Sequence, residues 1–199
     1  MIRLLLAVTL WCSLPQLSVA QEVQFLKQPP AQAPHRQEMK VLIDAQSLKT
    51  GLVRVDQCHY QLDPVPATQI VFGPALRALQ VTRSRNIGSL DLEDRSVQLH
   101  DVGEGAEICL RTVNQVFRQQ ADGSFVLRNG PFMRQFLDGY FPLQLHYQIR
   151  YPGSLLALES VSPDTPVNTL QKNPDGKLDL QVLFTGPLRL ETRFRPLTP

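Results

Sequence analysis

The stretch that decides the fold is Phe141-Pro142-Leu143-Gln144-Leu145-His146-Tyr147-Gln148-Ile149-Arg150-Tyr151. Every odd-numbered residue in it is apolar and every even-numbered one is polar or proline. A period of two puts the two sets on opposite faces of an extended chain, whereas a helix would mix them. The stretch therefore predicts a long strand with one face in a core and the other in water.

The same signature recurs on either side. Val53, Val55 and Gln57 alternate with Leu52, Arg54, Asp56 and Cys58. Leu178, Leu180, Val182 and Phe184 alternate in the same way, as do Leu188, Leu190 and Phe194. Shorter strands are expected over Met39–Ala45, Gln69–Phe72, Ala78–Ser84, Ser89–Leu92, Val97–Val102, Ser124–Leu127 and Leu155–Val161. Ala106–Gln119 fits either period, but its Thr, Val and Phe content and the Ala121-Asp122-Gly123 turn favour a strand. Asn86-Ile87-Gly88 and Gly103-Glu104-Gly105 read as chain-reversing turns. One short helix is expected over 131–138. Pro131 would open it, Phe132, Met133, Phe136 and Leu137 would share a face, and Asp138-Gly139 would stop it. About ten strands with turns between them predict an all-β fold, an antiparallel β-sandwich of immunoglobulin-like general architecture.

The composition is that of an ordinary globular chain: 199 residues, 43% hydrophobic and 19% charged, enough for one sizeable core. Residues 1–20 differ from the rest. Arg3, the apolar run Leu4–Trp11 and the small residues of Ser18-Val19-Ala20 form a secretory signal peptide with cleavage expected after Ala20. The run is too short to span a bilayer. Residues 21–38, rich in Pro and Gln, are read as a flexible arm, and 39–199 as one sandwich domain. Cleavage leaves Cys58 and Cys109 of the three cysteines, and an exported chain would join them in a disulfide between the two sheets. It also removes Trp11, the only tryptophan, so the residue that immunoglobulin domains pack on their bridge is missing.

Near-balanced charge argues against bulk nucleic-acid binding. No two histidines stand at metal-pair spacing, no cofactor motif is present, and the serines after glycine lack the nucleophile-elbow pattern. His35, His59, His100 and His146 read as solvent-facing. Three groups remain as candidates. Phe132, Phe136, Tyr140, Phe141 and Tyr147 could line a ligand pocket or an interface. Arg189, Arg193 and Arg195 share one face of the last strand and suit an anion or a protein partner, or protect a sheet edge. The acids between Asp91 and Glu107 could bind calcium or act as a hydrolase pair, or simply solvate turns. The expectation is an exported, non-catalytic binding or assembly module of the bacterial envelope, periplasmic or extracellular, that meets another envelope protein. The alternative is a carrier of a small apolar or saccharide ligand in a pocket lined by Phe132, Phe136 and Tyr147. A carboxylate hydrolase comes third.

Overall fold

The computed structural model describes residues 22–197, apart from 29, 32, 164–168 and 174–175. The signal-peptide reading thus lies outside the described residues. The chain forms β1 (Gln24–Phe25), β2 (His35–Leu42), a single helical turn α1 (Ser47–Thr50), β3 (Leu52–Leu62), β4 (Val65–Val71), β5 (Leu76–Glu93) and β6 (Ser96–Gln115). It continues as β7 (Phe117–Gln119), β8 (Phe125–Phe132), β9 (Arg134–Phe136), β10 (Gly139–Phe141) and β11 (Leu143–Arg150). The last strands are β12 (Leu156–Ser162), β13 (Thr169–Asn173), β14 (Lys177–Thr185) and β15 (Leu188–Pro196). β2 takes in His35–Glu38, which the sequence reading places in the arm.

The all-β expectation holds, and the alternating stretch becomes β11, an interior strand of the main sheet. The main sheet runs β1-β14-β11-β2-β3-β6, with β4 and β5 both paired to β6 and β13 paired to β14. A second sheet runs β12-β15-β8-β7. The pairs are antiparallel except β2 with β11, which run parallel. Leu143, Leu145, Tyr147 and Ile149 of β11 join Leu178, Leu180 and Phe184 of β14 beneath Leu127, Leu188, Leu190 and Phe194 of the second sheet. This is sandwich packing, with the inward face of each sheet supplying every second side chain.

The rest of the main sheet is roofed differently. β5 and β6 form an 18- and 20-residue hairpin whose two turn signals do not reverse the chain. They bend it. The ladder slips between Arg85 and Ile87 and between Tyr60 and Leu62, so all three neighbouring strands turn a corner at one level. Gln61, Asn86 and Asp101 take left-handed backbone there, with φ of 56°, 56° and 51°. The Asn86 side-chain amide ties the corner by donating to the Glu104 carbonyl at 3.0 Å. Gly88 is needed for space, since a Cβ on it would lie 2.8 Å from the Asp101 Cβ. Beyond the corner the hairpin returns over its own first half. The Phe72 amide donates to the Arg95 carbonyl at the hairpin tip, and the Gln115 amide donates to the Ala75 carbonyl at its base.

A second apolar core fills the fold-over. It holds Val97, Leu99 and Val102 from the returning half, and Ala106, Ile108 and Leu110 from the outgoing half. Burying a Val, Leu or Ile side chain contributes roughly 1.5–3 kcal/mol. A left-handed non-glycine residue costs roughly 1–2 kcal/mol. The enclosed side chains therefore outweigh the three strained corners.

Two expectations are corrected. Residues 131–138 form no helix. Phe132 ends β8, and Arg134–Phe136 pairs with Gly139–Phe141 as a hairpin. An isolated eight-residue helix is marginal because nucleation is costly. Leu137-Asp138 forms the hairpin turn, Gly139 follows it opposite Phe136 at φ 134°, and Leu137 stands exposed at the tip. The Cys58–Cys109 disulfide forms as expected, but within one sheet. The two cysteines are directly opposed on β3 and β6, with Cα atoms 4.1 Å apart. The bend at the end of β3 keeps both strands in the main sheet, so the bridge has no second sheet to reach.

The bridge closes a span of 51 residues. In the chain-entropy description such a loop contributes about 4 kcal/mol. Replacing both cysteines by alanine is expected to lower unfolding free energy by about that amount, read from urea denaturation.

Candidate functional site

The floor of the main sheet is continuous, but its two roofs are separate. One is the second sheet and the other is the returning half of the hairpin with β4. Where they meet, a cleft of about 470 Å³ opens. Its floor is His35, Gln37 and Met39 of β2, Gln57 and His59 of β3, and Thr112 and Asn114 of β6. One wall is Thr68–Ala75 and the other is Arg128–Phe136. The volume lies within the roughly 300–1,000 Å³ of small-ligand sites.

The register explains the chemistry of this floor. Val41, Val55 and Thr112 stand in one row across β2, β3 and β6. The next row is Met39, Gln57 and Leu110, and the next is Gln37, His59 and Ile108. The polar positions thus shift by one strand from row to row and make a diagonal strip. On one side lie Val41, Val53 and Val55 of the sandwich core. On the other lie Leu62, Ile108 and Leu110 of the hairpin core. The strip follows the seam between the roofs, the one line along the floor where polar groups are not pressed against apolar side chains.

These polar groups are inward-facing and enclosed. Gln37, Gln57, His59 and Thr112 are 7%, 4%, 6% and 2% exposed. Gln57 and His59 belong to a short chain of hydrogen bonds. The Gln57 Nε2 amide donates to His59 Nε2 at 3.4 Å, which leaves the proton on His59 Nδ1 to be donated to His35 Nε2 at 3.0 Å. Burial holds the His59 pKa well below the ordinary value, and the neighbouring His35 lowers it further. His35 falls from 6.5 to about 4, first through burial and then through the Arg134 charge. Both imidazoles are neutral at physiological pH. Nearby, the Asn114 amide donates to the Thr112 hydroxyl at 2.7 Å.

The Arg134 charge on the wall is matched. The Arg134 guanidinium grips the Asp63 carboxylate with two nitrogens, Nε at 2.8 Å and Nη2 on the other oxygen. Arg134 also lies over the ring of Phe141, 5.1 Å from its centroid. This clamp fixes the β9–β10 hairpin to the end of β3.

The candidates read from sequence separate accordingly. Phe132 and Phe136 line the cleft. Phe141 packs edge-on against Phe136, with centroids 5.6 Å apart, and Tyr140 is half-buried in β10. Tyr147 is fully buried beneath the wall; its hydroxyl donates to Asn129 Oδ1 at 2.5 Å and so orients an amide that lines the cleft. Arg189, Arg193 and Arg195 share the outward face of β15, away from the cleft. β15 is an interior strand between β12 and β8, so they do not guard an edge. Arg193 bonds to Asp122 and Ser124, and Arg195 faces Glu159 at 3.6 Å.

The acids between Asp91 and Glu107 are dispersed. Asp91 pairs with His100 at 3.2 Å, Glu93 accepts from Ser96 and Gln98, and Glu107 faces Arg83 and Arg85. Among the described residues no three His, Cys, Asp or Glu side chains converge on a metal position. His146 is outside, bonded to Asp179 at 2.9 Å. His59 and His35 are the histidines misread from sequence. The signal was available in β3, where Val53 and Val55 set an inward register that Gln57 and His59 continue. No known protein-family model matches the chain, and no curated protein is significantly similar to it.

The neutral histidines give a pH dependence with a definite sign. In the unfolded chain both would titrate near 6.5, so below that pH the unfolded state binds more protons than the folded one. Stability is then full above about pH 6.5 and falls towards pH 4, the folded value of His35. Urea midpoints measured across this window should decline. In the His35→Gln/His59→Gln double variant the decline should be much smaller.

Proposed function

We propose that the chain is an exported, non-catalytic binding module of the bacterial cell envelope, periplasmic in location, and that the seam cleft receives its ligand. The observation that carries this reading is the diagonal strip of enclosed, uncharged side chains between two apolar cores. Burying a polar group costs free energy unless it is hydrogen-bonded, and a floor needed for stability alone would be apolar. Here Gln37, Gln57 and His59 lie on inward positions of interior strands, in a cleft with apolar walls at Ile70, Phe72 and Phe132. A largely apolar cavity with a few placed polar groups is the usual form of a small-molecule site. The Arg134–Asp63 pair is matched and the two imidazoles are uncharged, which suits recognition of a ligand by hydrogen bonds.

Export is supported by the N-terminal sequence 1–20 and by the disulfide, which persists in oxidising compartments. No helix among the described residues is long and apolar enough to cross a membrane. A second reading, capture of another envelope protein, is favoured by Val71 and Met133, which line the cleft while remaining 66% and 43% exposed. They make the rim of the cleft apolar where a partner would meet it.

Native mass spectrometry of the protein purified from the periplasm is expected to show a bound small molecule that is lost on acid unfolding. Gln57→Leu should reduce its occupancy severalfold while the fold persists. A protein that arrives empty and turns over a substrate would overturn the reading.

A further inference from the structure

We propose that the seam cleft binds an uncharged, polyhydroxylated ligand, a neutral saccharide, through the side-chain amides of Gln37, Gln57, Asn114 and Asn129. This rests on the reading of the chain as a binding module and names the ligand class.

Four observations select the class. First, the floor carries amides whose hydrogen-bonding capacity is not used within the protein. Gln37 is over nine-tenths buried and lines the cleft, yet among the described residues its side chain has no hydrogen-bond partner. It is also absent from the enclosed polar atoms left without a partner, so its amide is open to the cleft. Gln57 uses only its nitrogen, towards His59, and its carbonyl oxygen remains. Asn129 accepts from Tyr147 on its oxygen, which leaves its NH2 to donate. Asn114 donates to Thr112, which leaves its oxygen to accept. The set offers donors and acceptors together, and hydroxyl groups, each able to donate and accept, match that mixture.

Second, each arginine that lines the cleft already has a carboxylate partner. Arg134 is taken by Asp63, and Arg128 by Glu191 at 2.8 Å. A carboxylate or phosphate would be desolvated here without a free cation to pair with. Third, β2, β3 and β6 are interior strands with both edges paired over this region, so the floor offers an extended peptide no main-chain ladder, and the β4 edge on the wall is tested by the tri-alanine arm. Only discrete side-chain groups rise from the floor. Fourth, Phe136 and Phe72 on opposite walls provide the apolar surface that the C–H faces of a sugar ring need.

The test is a printed array of neutral and acidic oligosaccharides, followed by calorimetry with the best neutral binder, with tri-alanine and with tri-galacturonate. A neutral oligosaccharide should bind, and tri-alanine and tri-galacturonate should bind at least about tenfold more weakly. Gln37→Leu and Gln57→Leu should each weaken the neutral sugar about tenfold or more, the effect of one lost hydrogen bond, with melting temperature maintained or raised. His146→Ala, on the outer face of the sheet, should leave affinity unchanged. Should Gln57→Leu fail to fold, Gln37→Leu and Asn114→Ala decide. Failure of every neutral glycan to bind, or equal binding to wild type and Gln37→Leu, overturns the saccharide assignment. The binding-module reading would survive that result if native mass spectrometry still found a bound molecule of another class, and would fall with it if none were found.

Discussion

Much of this structure depends on one constraint acting on β6. Over its length β6 is hydrogen-bonded to β5 on one side and to β3 or β4 on the other. A strand so engaged cannot leave its neighbours to bury its apolar face. Val97 and Leu99 at one end, and Ile108 and Leu110 at the other, can become dry only if the whole ribbon folds. The left-handed residues at 61, 86 and 101 are the local cost of that manoeuvre, shared among three strands at one level.

The fold-over brings a second layer above the main sheet, but not the same layer that covers β11 and β14. Two roofs over one floor leave a joint, and twist between neighbouring strands runs that joint obliquely across the pleat. Side chains beneath a roof must be apolar, whereas side chains beneath the joint are released from that demand. The inward positions record this as a change from Val55 to Gln57 along β3 and from Leu110 to Thr112 along β6, with β2 changing one row further on, from Met39 to Gln37. The architecture thus determines where polar groups can sit, and the Arg134–Asp63 clamp and the Tyr147–Asn129 bond hold the adjoining wall in place.

Much of the sandwich was legible in the sequence because a half-buried strand writes its geometry in a period of two. β11, β14 and β15 show it plainly. The corners were visible only as turn signals at 86–88 and 103–105. Each fits a reversal as well as a bend, and it is their matched register on paired strands that distinguishes the two. The 131–138 segment misled because Phe132, Met133, Phe136 and Leu137 satisfy a helical spacing that eight residues are too few to enforce. The floor of the cleft was half legible. Gln57 follows Val53 and Val55 in register, but a polar residue on an inward position looks the same as a slipped strand until the second roof is known. Gln37 and Asn129 carry no sequence signal, since their role is set by distant strands.

The parallel pairing of β2 with β11 carries a consequence for assembly. His35 lies beside Leu143, so an early strand, β2, waits for one made much later. The β5–β6 hairpin, joined by a two-residue turn at Asp94-Arg95, needs only its own residues to zip together. Local closures precede distant ones because less chain entropy is lost in making them. A chain emerging N-terminus first would then carry a formed hairpin beside a β2 whose future neighbour has not yet arrived. During that interval its exposed ladder groups have to be kept from other polypeptides.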